Sequence, residues 1–243
     1  MIVFVHGVPE TATVWDGIRS AIDRESVALA LPGFGCPRPE GFGATMDDYV
    51  EWLVGELAGI QGPIDLVGHD WGAGFTYRVA TAHGDRLRSW AADIANIVHP
   101  DYEWNDIAKR WQTPGAGEAF VESQSTQSPE ARAALFESMG VPPAGALEMA
   151  TASDATMGAC ILALYRSAVP NPHHHWGPFA PTKPPGLVLY TSEDPFGDET
   201  LAREVADALG ATFAILDGIG HFWPYQAPEQ AAATLERFWA SLP

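Results

Sequence analysis

Residues 64–74 read Ile-Asp-Leu-Val-Gly-His-Asp-Trp-Gly-Ala-Gly, an apolar run that ends in G-x-D-x-G and passes into an amphipathic segment carrying Phe75 and Val79. Few folds accommodate that order of events. The chain must leave a buried strand, turn sharply, and send a helix back across the strand it has just left. Glycines at 68 and 72 permit the close crossing, and the residue between them, Asp70, is forced into a strained conformation at the turn's apex. An Asp that merely caps a helix after a buried strand would read much the same. The rest of the chain must decide between the two.

Short apolar runs alternate with helical periodicity on both sides of this segment. Strands are expected at residues 2–5, 27–31, 64–67 and 90–94, with helical patterns at 13–22, 45–60 and 71–83 between and after them. In the second helix Met46, Tyr49, Val50, Leu53, Leu57 and Ile60 fall at helical spacing, and Thr45 with Asp48 predicts a capping box. The alternation resumes with strands at 186–191 and 212–216 and helices at 201–209 and 228–242. Strands that are apolar throughout and separated by helices mean a parallel sheet covered on both faces. From about 98 to 183 there is no β-branched strand run, only Ala-rich helical stretches. Prolines 170, 172, 178, 181, 184 and 185 crowd its far end. The expected organisation is a core of residues 1–97 and 184–243 interrupted by a helical cap, 98–183.

The chain has 243 residues, enough for one large α/β domain or one domain with an insertion, and carries 31 acidic against 13 basic residues. A net charge of -18 repels nucleic acid and anionic membranes, so neither is an expected partner. Cys36 and Cys160 lack metal-ligand spacing and read as buried small hydrophobes. No apolar run reaches membrane-span length, no basic leader precedes the first strand, and a cytoplasmic location is expected. Three consecutive histidines, 173–175, cannot easily converge on one ion and are expected in an exposed cap loop. No metal or other cofactor is expected.

A carboxylate at such a turn attacks saturated carbon and becomes an alkyl ester, whereas a serine attacks carbonyls. An Asp nucleophile makes an ordinary carboxylesterase unfavourable, because acyl transfer to it would give a labile mixed anhydride. Asp194 follows one late strand and His221 the last. Asp70, Asp194 and His221 thus stand in that order at strand ends, where the functional groups of α/β sheets gather.

Taken in order, His6-Gly7-Val8-Pro9, Leu31-Pro32-Gly33-Phe34-Gly35, Gly68-His69-Asp70-Trp71-Gly72, Asp194-Pro195-Phe196 and Gly220-His221-Phe222 resemble the motifs of the α/β-hydrolase fold. More narrowly they resemble its epoxide hydrolase and haloalkane dehalogenase branch. The resemblance spans the whole chain, with the cap matching only at isolated points. It implies Asp70 as nucleophile, His221 as the base that activates water, and Asp194 as the acid that orients His221. Glu193 is the neighbouring acid, but strand alternation turns it the other way. The backbone N–H groups of Val8 and Trp71 would form an oxyanion hole, with His6 supporting that turn or the pocket. Relatives carry a β-hairpin ahead of the first strand, so the sheet is expected to be two strands shorter than theirs.

Two chemistries share this machinery. Epoxide opening needs a donor to the ring oxygen, and Leu164-Tyr165-Arg166 resembles the segment that carries one ring-opening tyrosine. Where the branch carries Y-F-Q-x-P-G, this chain reads Arg110-Trp111-Gln112-Thr113-Pro114-Gly115, so Arg110 replaces the second tyrosine. Tyr102 could serve from a shifted position. Val8 lacks the side-chain donor that many dehalogenases place there as Asn. The expected reaction is opening of an epoxide to a diol, on a small apolar substrate with water. The alternatives are a haloalkane dehalogenase with Trp71 and Trp111 around the halide, a haloacid dehalogenase with Arg110 or Arg166 on the carboxylate, and a ligand-binding homologue without turnover. Trp104, Trp111 and Trp176 either line the pocket or pack the cap core, and homodimerisation stays open.

Overall fold

A computed structural model describes all residues, 1–243. Six parallel strands form one sheet in the order β2-β1-β3-β4-β5-β6. They are β1 (Ile2–Val5), β2 (Ser26–Leu29), β3 (Ile64–Gly68), β4 (Leu87–Ala92), β5 (Gly186–Thr191) and β6 (Thr212–Leu216). Side chains alternate faces along each strand, and the sequence is apolar at both parities. Val3, Val5, Leu66, Ala92 and Val188 enter one core with α2 (Met46–Gly59), α3 (Trp71–Ala82) and α10 (Glu199–Leu209). Ile2, Phe4, Val67, Ala91 and Leu187 enter the other with α1 (Asp16–Ala21) and α12 (Pro228–Ala240). The chain has the α/β-hydrolase fold.

Helix α2 is capped as the sequence predicts, Thr45 and Asp48 satisfying each other's backbone N–H. Two strands end earlier than expected, each for a local reason. β2 stops at Leu29 because the next residues turn: Leu31 N–H donates to His6 Nε2 at 3.0 Å, and Gly33 and Gly35 adopt φ of +88° and +71°. β4 stops at Ala92 because Asp93 leaves the ladder to accept the Asp70 N–H at 2.9 Å, and Ile94 follows at φ +44°. The helix expected at 13–22 begins as a 3-10 turn, Ala12–Trp15, before α1.

Six helices run between β4 and β5: α4 (Asp106–Gln112), α5 (Ala116–Ser125), α6 (Pro129–Ser138), α7 (Pro143–Ala152), α8 (Ala155–Ser167) and α9 (Pro172–Trp176). The three histidines belong to α9 and not to a loop, and His173 Nδ1 lies 2.9 Å from the Val98 carbonyl. Glu148 on α7 accepts from the Thr11 and Thr13 hydroxyls at 2.8 Å each, tying this layer to the loop after β1. The short α11 (Trp223–Gln226) precedes α12. Cys160 is buried, whereas Cys36 is only half-buried. No single helix is long and apolar enough to cross a membrane.

Asp65 is the one acid inside a central strand. It is 1% exposed and accepts from Arg88 Nε at 2.8 Å, Ser89 Oγ at 2.6 Å and Arg24 at 2.5 Å. Burial disfavours its charge, but these donors hold its pKa below the usual value. The stability it contributes is therefore present above about pH 4 and lost as pH falls through its depressed folded-state pKa. Asp65→Ala, which strands two guanidinium groups, is expected to cost on the order of 3 kcal/mol at pH 7. Urea unfolding should show the gap between variant and parent narrowing below about pH 4.

Candidate active site

The turn from β3 into α3 is as tight as G-x-D-x-G implies. Asp70 sits at φ +51°, ψ -119°, outside the regions an L-residue ordinarily occupies. A methyl group at Gly68 would strike the Gly72 carbonyl, one at Gly72 the Val5 carbonyl, and one at Gly7 the Asp70 side chain. The strain is held by hydrogen bonds at both ends of the residue. The Asp70 N–H donates to Asp93, and its carbonyl accepts from Ala73 and Gly74 at 3.0 and 3.1 Å.

Three strand-end loops converge on this turn. From the loop after β1, the Val8 N–H donates to Asp70 Oδ1 at 2.8 Å. His221, from the loop after β6, places Nε2 3.9 Å from Asp70 Oδ2. Its Nδ1 lies 2.9 Å from Oδ2 of Asp194, which follows β5, and Asp194 Oδ1 accepts the Phe196 N–H at 2.8 Å. An Nδ1–H donated to Asp194 leaves the Nε2 lone pair turned toward Asp70. Glu193 is exposed, and the buried acid of the pair is Asp194.

Burial raises the Asp70 carboxyl to about 6, opposed by the charges of His221 and His69 and by the Val8 N–H. Burial pushes Asp194 the same way, but His221 beside it brings it below the usual carboxylate range. Burial disfavours protonation of His221, while Asp194 favours it more strongly, so the net shift is upward.

Above Asp70 lies a cavity of about 190 Å³, lined mainly by apolar side chains. Tyr102, Trp104, Trp111 and Tyr165 face it together with Asp70 and His221. Tyr165 packs edge-on to Trp71 at 5.5 Å between ring centroids and lies 4.7 Å from Trp111. Burial raises the pKa of both phenols, and the negative charge of Asp70 raises each further. Both hydroxyls therefore stay protonated, as donors, at any working pH.

Several expected positions are corrected. Arg110 is exposed, stacked 5.0 Å over the Phe120 ring, and does not reach the cavity, because its segment of α4 turns Trp111 inward instead. His6 is fully buried behind the site: Nδ1 lies 2.7 Å from the Gly7 carbonyl and Nε2 accepts from Leu31. Burial lowers its pKa to about 4, so it is a neutral organiser of the two turns and not a pocket residue. Of the two expected oxyanion donors, the Val8 N–H bonds the resting Asp70 carboxylate, and the Trp71 indole lines the cavity. Trp176 packs away from the cavity, its indole donating to Asp47 at 2.8 Å.

Sequence reasoning missed Glu10, His69 and Asp93, while Trp104, one of three cap tryptophans expected to line the pocket or pack the cap, does line it. Glu10 directly follows His6-Gly7-Val8-Pro9, and His69 stands inside Gly68-His69-Asp70-Trp71-Gly72, directly before Asp70. Their adjacency to those motifs was the available signal.

The fold and this strand-end site define an α/β-hydrolase. The alpha/beta hydrolase family's sequence profile matches residues 2–234, and the chain belongs to that family. Among solved structures it is similar to epoxide hydrolase A from Mycobacterium thermoresistibile, with a TM-score of 0.79 at 18% identity over 100% of this chain and 91% of that one. A haloalkane dehalogenase from Bradyrhizobium elkani gives a TM-score of 0.73 at 19% identity, over 99% and 90% of the two chains. The coelenterazine h 2-monooxygenase of Renilla reniformis is 26% identical over 113 residues, 44% of this chain and 36% of that protein.

Gly72→Ala should cost about 2–3 kcal/mol, because the added methyl meets backbone that cannot swing aside. Thermal unfolding checks this; Gly55→Ala, where nothing lies within 4 Å, is the control and should leave the melting temperature unchanged or raised.

Proposed function

We propose that this chain is an Asp-nucleophile hydrolase that opens a small apolar epoxide to a diol, with residues 98–183 acting as a lid over the nucleophile. The observation that carries this reading is the pair of phenols, Tyr102 and Tyr165, lining one cavity with Asp70. Val8 holds Oδ1, so Oδ2 is the attacking oxygen. As Oδ2 bonds to an epoxide carbon, the C–O bond of the ring breaks and a tyrosine donates to the forming alkoxide. Water then attacks the ester carbonyl carbon while His221 Nε2 takes its proton. The oxyanion forms on Oδ1, where the Val8 N–H stabilises it. Collapse breaks the Cγ–Oδ2 bond, and the departing oxygen takes the proton from His221. The second water proton leaves the new carboxyl to restore the tyrosine, and the diol departs with Asp70 again a carboxylate. Asp194 stabilises the imidazolium that forms at His221.

A second reading, halide release, is favoured by one specific observation. The Trp71 and Trp104 indole N–H groups are both buried at the cavity and neither has an aligned hydrogen-bond acceptor. Two such donors suit an anion that leaves without needing a proton. The haloacid variant lacks an anchor, since Arg110 is exposed and Arg166 is paired with Glu118 at 2.8 Å.

Asp70→Asn should abolish turnover, because an amide is a far weaker nucleophile than a carboxylate. Intact mass must show that the amide has not reverted by deamidation; turnover by a confirmed amide would sink the assignment. His221→Gln should allow alkylation but not hydrolysis, leaving a stoichiometric adduct on the peptide that contains Asp70.

Tyr165→Phe and Tyr102→Phe remove the hydroxyls and keep the rings. Each should slow ester formation from an epoxide by on the order of tenfold to a thousandfold while ester hydrolysis is unchanged. A panel of epoxides and haloalkanes, assayed for diol and halide together, separates the two readings. Consumption of haloalkanes alone would replace the first by the second.

A further inference from the structure

The sheet holds the loop that carries His221 only in part. On the sheet side the Gly218 N–H donates to Ser192 Oγ at 2.7 Å, the Glu193 N–H donates to the Ile219 carbonyl at 2.9 Å, and Asp194 steadies the imidazole ring. The residues on either side of His221 are tied to the cap instead. The Gly220 N–H donates to Oε1 of Gln226, on α11, at 2.9 Å, and Nε2 of the same amide donates to the Met139 carbonyl, at the C-terminal end of α6, at 3.0 Å. Phe222 is 3% exposed, yet it belongs to neither of the two cores that flank the sheet. It joins Ala133, Val141, Ala146, Met149 and Ala150 in a separate small core within α6 and α7.

The rest of the cap is attached elsewhere. Trp104, Ala108, Ile161 and Tyr165, around α4 and α8, enter the core that α2 and α3 share. The cavity lies between the two halves, with Trp111 and Tyr165 from one and Phe136 and Met139 from the other among its lining residues. The half made of α6 and α7 is itself tied down, since Glu148 on α7 accepts from Thr11 and Thr13 in the loop after β1. That is the loop whose Val8 N–H holds Asp70.

We propose that Gln226 is a positioning residue that fastens the backbone of the histidine loop to α6 and α7, so that the cap, together with the sheet, sets where His221 Nε2 stands above Asp70. This rests on the reading of His221 as the base of ester hydrolysis.

The residue type follows from its two partners. One is an N–H and the other a C=O, so the side chain between them has to accept with one end and donate with the other. An amide does both, whereas a carboxylate would turn lone pairs toward the Met139 carbonyl. The Gly220 N–H is the amide directly before the base, and Asp194 governs only the ring. Nε2 stands 3.9 Å from Asp70 Oδ2, and the hydrolytic water has to lie within reach of Nε2 and of the ester carbonyl carbon at once. A misplacement of about 1 Å in such an arrangement can cost roughly a hundredfold in rate. Ester formation uses Asp70 and a phenol but not His221, so only the second half-reaction depends on the bridge.

The test follows the two half-reactions separately, by rapid quench and intact mass at saturating substrate, with an epoxide or haloalkane that the parent consumes. Gln226→Leu removes both hydrogen bonds, and Gln226→Glu keeps the acceptor for Gly220 while losing the donor to Met139. Gly140→Ala reaches the bridge from the cap side: Gly140 has φ +87°, does not line the cavity, and an added methyl there would strike Gln226 Nε2. All three should slow ester hydrolysis by roughly tenfold to a hundredfold while ester formation stays within about twofold, so that alkylated Asp70 accumulates during turnover. Gly115→Ala is the control, a second cap glycine at positive φ (+80°) with nothing within 4 Å of the added methyl, and should leave the ratio of the two rates unchanged. Should Gln226→Leu fail to fold, Gly140→Ala carries the test with the amide still present. Equal loss in both half-reactions, loss in ester formation alone, or no loss in either would overturn the proposal. So would hydrolysis at the parental rate in Gln226→Glu and Gly140→Ala, because the cap would then play no part. If His221→Gln traps no ester, the reading of the catalytic pair fails; if it traps the ester while the Gln226 variants clear it at the parental rate, only this inference fails.

Discussion

The approach of α3 to the carboxyl end of β1 is the constraint on which the site depends. Backbone meets backbone there without an intervening side chain, because Gly68 and Gly72 leave no room for one. The Val8 amide reaches Asp70 Oδ1 at 2.8 Å only because that crossing is so close. Lifting the helix by one methyl group would separate the carboxylate from its only backbone donor. It would also separate the Asp70 N–H from Asp93, and through Trp223 loosen the loop that carries His221. Elbow, oxyanion turn and histidine loop thus share one set of distances, and the unfavourable φ at Asp70 persists because its surroundings over-determine it.

Charge organises the same place. Four acids (Glu10, Asp70, Asp93 and Asp194) surround two histidines within a nearly water-free volume. An anionic excess there would be costly if every group were ionised without partners. Instead each carboxylate has backbone donors, ring donors or both. Asp70 has the fewest: one amide on Oδ1, and His221 Nε2 at 3.9 Å. It is also the acid whose pKa burial raises to about 6. Asp70 is thus the least solvated carboxylate of the four, while its neighbours are each more fully hydrogen-bonded.

What could be read from the sequence followed the range of the interactions involved. The strand–helix alternation, the Thr45–Asp48 capping box and the glycine-flanked turn at Asp70 are local, so the letters carry them. The acid beside His221 was also readable from the Asp194-Pro195-Phe196 motif, although both Glu193 and Asp194 lie in the turn after β5, where strand alternation no longer applies. Strand ends were misjudged by about two residues where a side chain withdraws the backbone, as Asp93 does at β4. The cap was hardest. Whether Arg110, Trp111 or Tyr102 faces the cavity depends on the rotation of short helices packed by irregular contacts, and no periodicity fixes that rotation. The row of Glu10, His69 and Asp93 joins residues as many as 83 positions apart in the numbering. Each is an unremarkable polar residue until the sheet brings three loop ends together.

The cavity also bears on what kind of leaving group suits it. Its lining is mainly apolar, at about 190 Å³, so a reacting carbon next to Asp70 is within reach of very few polar hydrogens. Among them are phenol O–H on Tyr102 and Tyr165 and indole N–H on Trp71 and Trp104. An indole cannot give up its proton to an alkoxide, whereas a phenol can share or transfer one. A halide needs only the partial positive charge that either donor offers. Opening a strained ether therefore makes demands that the phenols meet and the indoles do not, and halide departure leaves the phenols' acidity unused. Burial, and to a lesser degree the charge of Asp70, keeps both phenols protonated, so they can donate at the moment the alkoxide forms.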